Sequence, residues 1–154
     1  MQRYRLSKSI CVLRRTSVTD YEALIQRFSM IPHEEGGYYA EIWRKPTVQG
    51  EECPLSHIYY LLNQKEKARW HRVASDEIWL FHCGSPLTLY LGGNGDRPSH
   101  APNVVVIGEA VFHCLIPGGT WQSAEAKEGM ALVSCIVSPG FQQEHWELLS
   151  KENL

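Results

Sequence analysis

His71 and Glu77 stand six residues apart in the stretch WHRVASDEIWLFHCGSPL, an imidazole and a carboxylate on either side of a short turn at Ala74, Ser75 and Asp76. The flanking runs, Arg69–Val73 and Glu77–His82, are rich in β-branched and aromatic residues and read as neighbouring strands. Strand alternation then puts His71, Val73, Glu77, Trp79 and Phe81 on one face. A carboxylate beside an imidazole fixes its tautomer and favours the charged form, which raises the histidine pKa, while desolvation opposes this. Such a histidine can take a proton from a carbon next to a carbonyl, the first step of a sugar epimerisation or an aldose–ketose isomerisation. The alternative is that His71 and Glu77 only satisfy each other in a polar core.

Other side chains extend the candidate site. Tyr38 and Tyr39 follow the turn at Gly36 and Gly37, and either could act as general acid opposite a histidine base. Packing is the equal alternative for both. Glu41 alternates with Tyr39 and could face the same cavity. Arg44 and Arg72 offer forked donors to a phosphate or carboxylate, against the plainer reading of surface charges. Trp70, Trp79 and Trp121 could stack on a base or a sugar, and core packing is the competing role of each. His33 lies in PHEEGG, a turn expected near a pocket rim. The sequence contains no Walker loop, Rossmann fingerprint or nucleophile elbow.

The elements that must position these groups are mostly strands. The one clear helix is TDYEALIQRF, where Tyr21, Leu24, Ile25 and Phe28 form one apolar stripe. Thr19 with Glu22 has capping-box spacing, and Pro32 is expected to end the helix. After it come β-rich runs at Glu41–Lys45, Ser56–Leu62, Arg69–Val73, Glu77–His82, Leu87–Leu91, Val104–Ile107, Val111–Ile116 and Ala131–Val137, separated by glycine- and proline-rich turns. This pattern argues for an all-β sandwich or barrel. LTLYL alternates, so one face should point inward and the other be wet. EHWELLSKENL fits either a last strand or a short helix.

The 154 residues make one ordinary domain with enough chain to bury a core. The net charge of −2 argues against broad nucleic-acid binding, and no apolar run is long enough for a membrane helix. The charge is unevenly placed. Arg3, Arg5, Lys8, Arg14 and Arg15 precede the first acid, Asp20, so the start carries +5 and the remainder −7. Residues 1–16 are read as a basic arm that pairs with a sheet or a partner subunit, and residues 17–154 as the domain. A basic, acid-free start also resembles a mitochondrial transit segment. Five cysteines, widely spaced and odd in number, point to reduced thiols in a cytoplasmic setting. Cys114 and Cys135 sit in apolar runs as small core residues.

These residues carry a family resemblance. The spacing of His71, Glu77 and Gly84 resembles the first cupin motif, and IPGGTWQ, Ile116 to Gln122, resembles the second. IPHEEGGYYAEIWR, SHIYYLL, WHRVASDEIWLFHCGSPL, PGGTW and LVSCIVSPGF together look like the small single-domain cupins of unknown function, in the right order from Thr19 to Leu149. That family resembles the rhamnose-pathway dTDP-sugar epimerases in fold. The resemblance implies an all-β cupin jelly-roll barrel with one N-terminal helix, a homodimer, and a barrel interior lined by the His71 face. It supplies no reaction, because fold does not imply function.

The chain departs from the general cupin pattern at two ligand positions. Val73 stands where a second histidine is usual, and Gln122 where the second motif has its histidine. A catalytic metal needs three firm ligands, and His71 with Glu77 supplies two. The expectation is therefore a site with no metal and no cofactor. His71, Glu77 and Tyr39 are the catalytic candidates. Tyr38, Glu41, Arg44, Ser56, Tyr60, Trp70, Trp79 and Gln122 are the ligand-binding candidates. The expected ligand is a small sugar phosphate or a nucleotide-sugar-like molecule. The leading function is a metal-independent epimerase or isomerase. The alternatives are a non-catalytic nucleotide- or sugar-binding module, and a metal-dependent dioxygenase using His71, Glu77 and Gln122.

Overall fold

The computed structural model describes residues 20–48 and 51–150. The basic arm, Thr19 and Cys11 lie outside the described residues. The chain opens with helix α1 (Tyr21–Phe28), followed by strands β1 (Ile31–Pro32), β2 (Tyr38–Arg44), β3 (Ser56–Leu62), β4 (Lys67–Val73), β5 (Asp76–Gly84) and β6 (Leu87–Leu91). It continues with β7 (Asn103–Ile107), β8 (His113–Ile116), β9 (Gln122–Ala126), β10 (Ala131–Ser138), a single 3-10 turn at Gln143–His145, and β11 (Trp146–Leu148).

All pairings are antiparallel. One sheet has the order β1-β2-β3-β10-β5-β8 and the other β11-β4-β9-β6-β7. The main core lies between them, with Tyr60, Leu62, Trp79, Leu87, Leu89, Ile107, Ile116 and Val133 buried. A second cluster forms outside the six-stranded sheet. There α1 sets Leu24 against Leu61, Met130 and Leu132, with Tyr21, Ile25 and Phe28 packed beside them. The apolar stripe of the helix thus does what its spacing indicates.

The helix ends differ from expectation. Its N-cap is Asp20, whose carboxylate accepts from Glu22 N at 3.1 Å. The helix stops at Ser29, in the left-handed region with φ 51°, before Pro32 can act. Pro32 instead pairs with Tyr38 in the short strand β1. Asp20→Ala should cost about 1 kcal/mol of stability, the usual value of a side-chain cap. Urea unfolding of the two proteins checks this, and equal midpoints would mean that the cap is not used.

The strands β1 and β9 escaped the sequence reading. In β9, QSAEA has none of the usual β-formers, yet it is the middle strand of its sheet. At the C-terminal end the 3-10 turn and β11 occur in succession, so both alternatives hold in part. LTLYL does point Leu87 and Leu89 inward, but Thr88 on the other face is also buried. The four described cysteines are free, with Cys114 and Cys135 buried.

Candidate functional site

His71 and Glu77 are brought together by a different route from the one their spacing suggests. β4 pairs with β9 and β11, whereas β5 pairs with β10 and β8. The two strands therefore belong to opposite sheets and are not neighbours. The turn between them crosses from one sheet to the other. It is held where Gly118 N donates to Asp76 Oδ1 at 2.9 Å. A Cβ at Gly118 would lie 2.2 Å from the Ala74 carbonyl oxygen, so glycine is needed there. His71, 3 % exposed, and Glu77, 6 % exposed, line one recess from opposite sheets.

Gln122, wholly buried on β9, ties the sheets together. Its Nε2 donates to Glu77 Oε2 at 2.5 Å, and its Oε1 accepts from Trp79 Nε1 at 3.0 Å. His71 Nδ1 lies 2.8 Å from the Arg69 carbonyl. A carbonyl can only accept, so Nδ1 carries the proton and Nε2 is the basic nitrogen of a neutral ring. Burial lowers the His71 pKa, outweighing the opposite pull of Glu77 and of the Arg69 carbonyl. The expected upward shift is thus reversed, because desolvation wins when the ring is this deep. Burial likewise raises Glu77, against His71 and Gln122.

A second carboxyl, which the sequence reading missed, completes the recess. Glu35 Oε2 is 3.4 Å from His71 Nδ1 and 3.8 Å from His33 Nδ1, while its Oε1 accepts from Trp146 Nε1 at 2.7 Å. Burial is the main cause that pushes the Glu35 pKa up to about 7, against the lowering effects of His33 and Trp146. Burial also lowers His33. PHEEGG reads as a rim turn, and periodicity carries no signal for which of its two glutamates turns inward.

The recess, about 50 Å³, has room for roughly four waters on a scale of 10–15 Å³ each. His33, Ile58, Phe141 and Trp146 are shared between it and an outer groove of about 310 Å³ that also holds Tyr39, Glu41 and Arg44. The two spaces form a small inner pocket, with a few polar groups set among apolar walls, beside a wider groove. Tyr39 packs edge-on to His33. Arg44 is already engaged, through Nε and a terminal nitrogen to Glu41 and through the other to the Phe141 carbonyl. Ser56 lines the recess and accepts from Phe141 N. Tyr60 lines it too, with its hydroxyl donated to the Gly36 carbonyl at 2.7 Å.

Other candidates lie elsewhere. Tyr38 points to the helix side of the sheet and packs against Tyr21, because alternation opposes it to Tyr39. Trp70 is on the outside of the five-stranded sheet, because alternation opposes it to its neighbour His71. Arg72 pairs with Glu147 at 2.6 Å and covers the ring of Trp121, which is fully buried.

A family model described as Cupin superfamily (DUF985) matches residues 22–149. The chain belongs to this cupin family. A hypothetical protein from Leishmania major is similar at 28 % identity and a TM-score of 0.75, covering 86 % of this chain and 88 % of that one. A protein from Shewanella oneidensis is 31 % identical with a TM-score of 0.74, covering 85 % of each. An uncharacterised protein of Saccharomyces cerevisiae is 24 % identical over 86 % of this chain and 76 % of its own. Oxalate decarboxylase from Bacillus subtilis, 20 % identical with a TM-score of 0.60 over 79 % of this chain and 31 % of that one, shares the fold. The all-β cupin jelly roll expected from the sequence is the fold of the chain.

Many cupins hold a metal, and the donor set of this cupin does not fit one. Val73, apolar, takes one ligand position, and the Gln122 carbonyl oxygen is spent on Trp79. Among the described residues no three His, Cys, Asp or Glu side chains converge as a ligand group. Nor is any helix among them long and apolar enough to cross a membrane.

The unusual Glu35 pKa predicts a pH effect on stability. An acid raised on folding contributes most below its unfolded value of 4.5, and that contribution is lost as pH rises to about 7. His33 and His71, lowered on folding, act oppositely, adding stability as pH rises towards the unfolded value of 6.5. The comparison with Glu35→Gln isolates the glutamate. The variant should gain on wild type between pH 4.5 and 8 by on the order of 1–3 kcal/mol. Denaturant unfolding across that range measures it, and a difference independent of pH would show that Glu35 titrates normally.

Proposed function

We propose that the recess binds the reacting end of a small sugar-like hydroxycarbonyl compound and that His71 Nε2 takes a proton from the carbon beside its carbonyl. The observation that carries this reading is the commitment of Nδ1 to the Arg69 carbonyl, which leaves Nε2 as a neutral base on a residue lining the recess. Electrons from the broken C–H bond move onto the carbonyl oxygen. Glu35, half-protonated near pH 7, can donate a hydrogen bond to that oxygen as a carboxylic acid. Return of the proton to the opposite face gives an epimer, and its return to the neighbouring carbon gives an isomer. Tyr39, which lines the outer groove and packs against His33, is the candidate for the opposite face. No electron acceptor is needed. A phosphate or nucleotide on such a ligand belongs in the groove beside Arg44, because Glu35 and Glu77 disfavour an anion in the recess.

The test is incubation of candidate aldoses, ketoses and their phosphates and nucleotide derivatives with the protein in heavy water, followed by mass spectrometry. Deuterium at carbon supports the reading. Binding without exchange supports the second reading, a non-catalytic sugar-binding module, which is favoured by one observation: Glu77 is already hydrogen-bonded to Gln122.

The homodimer implied by family resemblance also belongs here as a proposal. The edge strands β7 and β8, with the loop that leads into β8, present Val104, Val106, Phe112 and Leu115 to solvent, an apolar set suited to a second copy of the same surface. Sedimentation equilibrium at micromolar concentration should give a dimer that Phe112→Asp with Leu115→Asp dissociates. A monomeric wild type rejects the dimer, and a dimeric variant rejects this surface.

A further inference from the structure

The outer face of the five-stranded sheet carries a second hollow, separated from the recess by the sheet itself. Gln122 faces inward on β9, and its neighbour Ser123 faces outward. Ser123 pairs with Tyr90 of β6 on one side and lies beside the β4 bulge on the other. The bulge turns Arg69 and Trp70 outward while Ala68 stays in the core and His71 in the recess. The result is a hollow of about 350 Å³ with Trp70 and Tyr90 among its walls and the small Ser123 and Ala68 beneath.

The walls are held in place. A Cβ at Gly92 would lie 3.1 Å from Cζ3 of Trp70, so the Gly92 backbone supports that ring closely. The Trp70 carbonyl accepts from Leu149 N at 2.8 Å. The Tyr90 hydroxyl donates to Glu125 Oε2 at 3.1 Å, and Ser123 Oγ donates to the Ala68 carbonyl at 2.7 Å. Cations stand around the space. Lys67 and Arg69 line it, and Lys127 Nζ sits 5.6 Å from the centre of the Tyr90 ring. Glu125 offsets Lys67 in part, at 3.4 Å. Arg69 donates to the Glu34 carbonyl at 2.8 Å, and its charge also acts on Glu35 behind the sheet.

Two fixed aromatic rings over a low floor, with an excess of positive charge around them, suit one ligand chemistry. We propose that this hollow is a second ligand site, for a planar aromatic ring carrying an anionic group, as in a nucleoside monophosphate. The ring lies against Trp70 and Tyr90, and the anion meets Lys67, Arg69 or Lys127. The proposal stands whether or not the recess is catalytic.

Titration calorimetry on the full chain with AMP, adenosine and inorganic phosphate tests it. AMP should bind, adenosine more weakly, and phosphate alone immeasurably. Trp70→Ala should weaken AMP on the order of tenfold, as loss of a stacking ring does. Tyr90→Leu is the second variant should the first fail to fold. Lys67→Ala with Lys127→Ala should reduce both the affinity and its dependence on salt. His71→Asn should leave AMP binding unchanged. No AMP binding at millimolar concentration overturns the proposal. So does affinity unaltered in folded Trp70→Ala or Tyr90→Leu, and so does loss of binding in His71→Asn, which would put the nucleotide in the recess.

Discussion

His71→Asn should slow proton exchange in any sugar-like substrate the protein accepts roughly 10²–10⁴-fold, as loss of a general base does. The fold should survive. Asparagine is polar, smaller than histidine, and keeps an N–H that can face the Arg69 carbonyl. Binding at the recess should weaken less than the rate does. The pH profile of wild-type exchange gives an independent readout. His71 must be neutral to accept a proton, and burial holds its pKa below the ordinary 6.5, so activity rises with pH across a limb below that value. Glu35 must be protonated to donate to the oxygen, so activity falls as pH passes about 7. The product is a bell with its maximum between the two. Glu35→Gln keeps an N–H donor that does not titrate, so the alkaline limb should disappear while the acid limb remains. Full exchange in His71→Asn would place the base elsewhere. An unfolded variant would favour the reading in which His71 and Glu77 only satisfy each other in the interior.

Gln122→Leu should destabilise the protein by about 2–5 kcal/mol, more than any other single change considered. The side chain is fully buried and uses both ends of its amide. Leucine of similar volume leaves the indole N–H of Trp79 without its acceptor and an oxygen of Glu77 without its donor, both in the interior. Each orphaned group costs about 1–3 kcal/mol, and a buried carboxyl that loses a partner is at the high end. Gln122→Glu separates this loss from packing. It restores an acceptor for Trp79 but sets a second carboxyl against Glu77, and two carboxyls in contact hold a proton between them. Their folded pKa is raised, so their contribution is present at low pH and lost as pH rises. Gln122→Glu should thus approach wild-type stability near pH 5 and fall below it at pH 8. Guanidinium unfolding at the two pH values decides the matter. A Gln122→Leu protein as stable as wild type would show that the bridge between the sheets contributes nothing, and a Gln122→Glu deficit independent of pH would remove the shared proton.

Local sequence was sufficient for the fold class and for one half of the chemistry. Ser56–Leu62 and Leu87–Leu91 are strands with the bounds their composition indicates, and Tyr21, Leu24, Ile25 and Phe28 cover the sheet as one stripe, because period and propensity act within a few residues. The same locality explains why His71, Glu77 and Trp79 were found: alternation along two short strands assigns them one side, whichever sheet each strand joins. Pairing is a different matter. That β4 and β5 lie in opposite sheets, and that β9 enters between β4 and β6 despite its composition, depend on contacts between segments some fifty residues apart. Tyr38 and Tyr39 could be told apart only once the helix had claimed one face of β2. Glu35 was invisible because a turn has no period, and its inward position follows from Trp146, more than a hundred residues later, donating to its carboxyl. The sign of the His71 shift was also a tertiary result. The sequence contains the carboxylate that would raise the pKa, but the depth of burial that lowers it exists only when both sheets have closed over the ring.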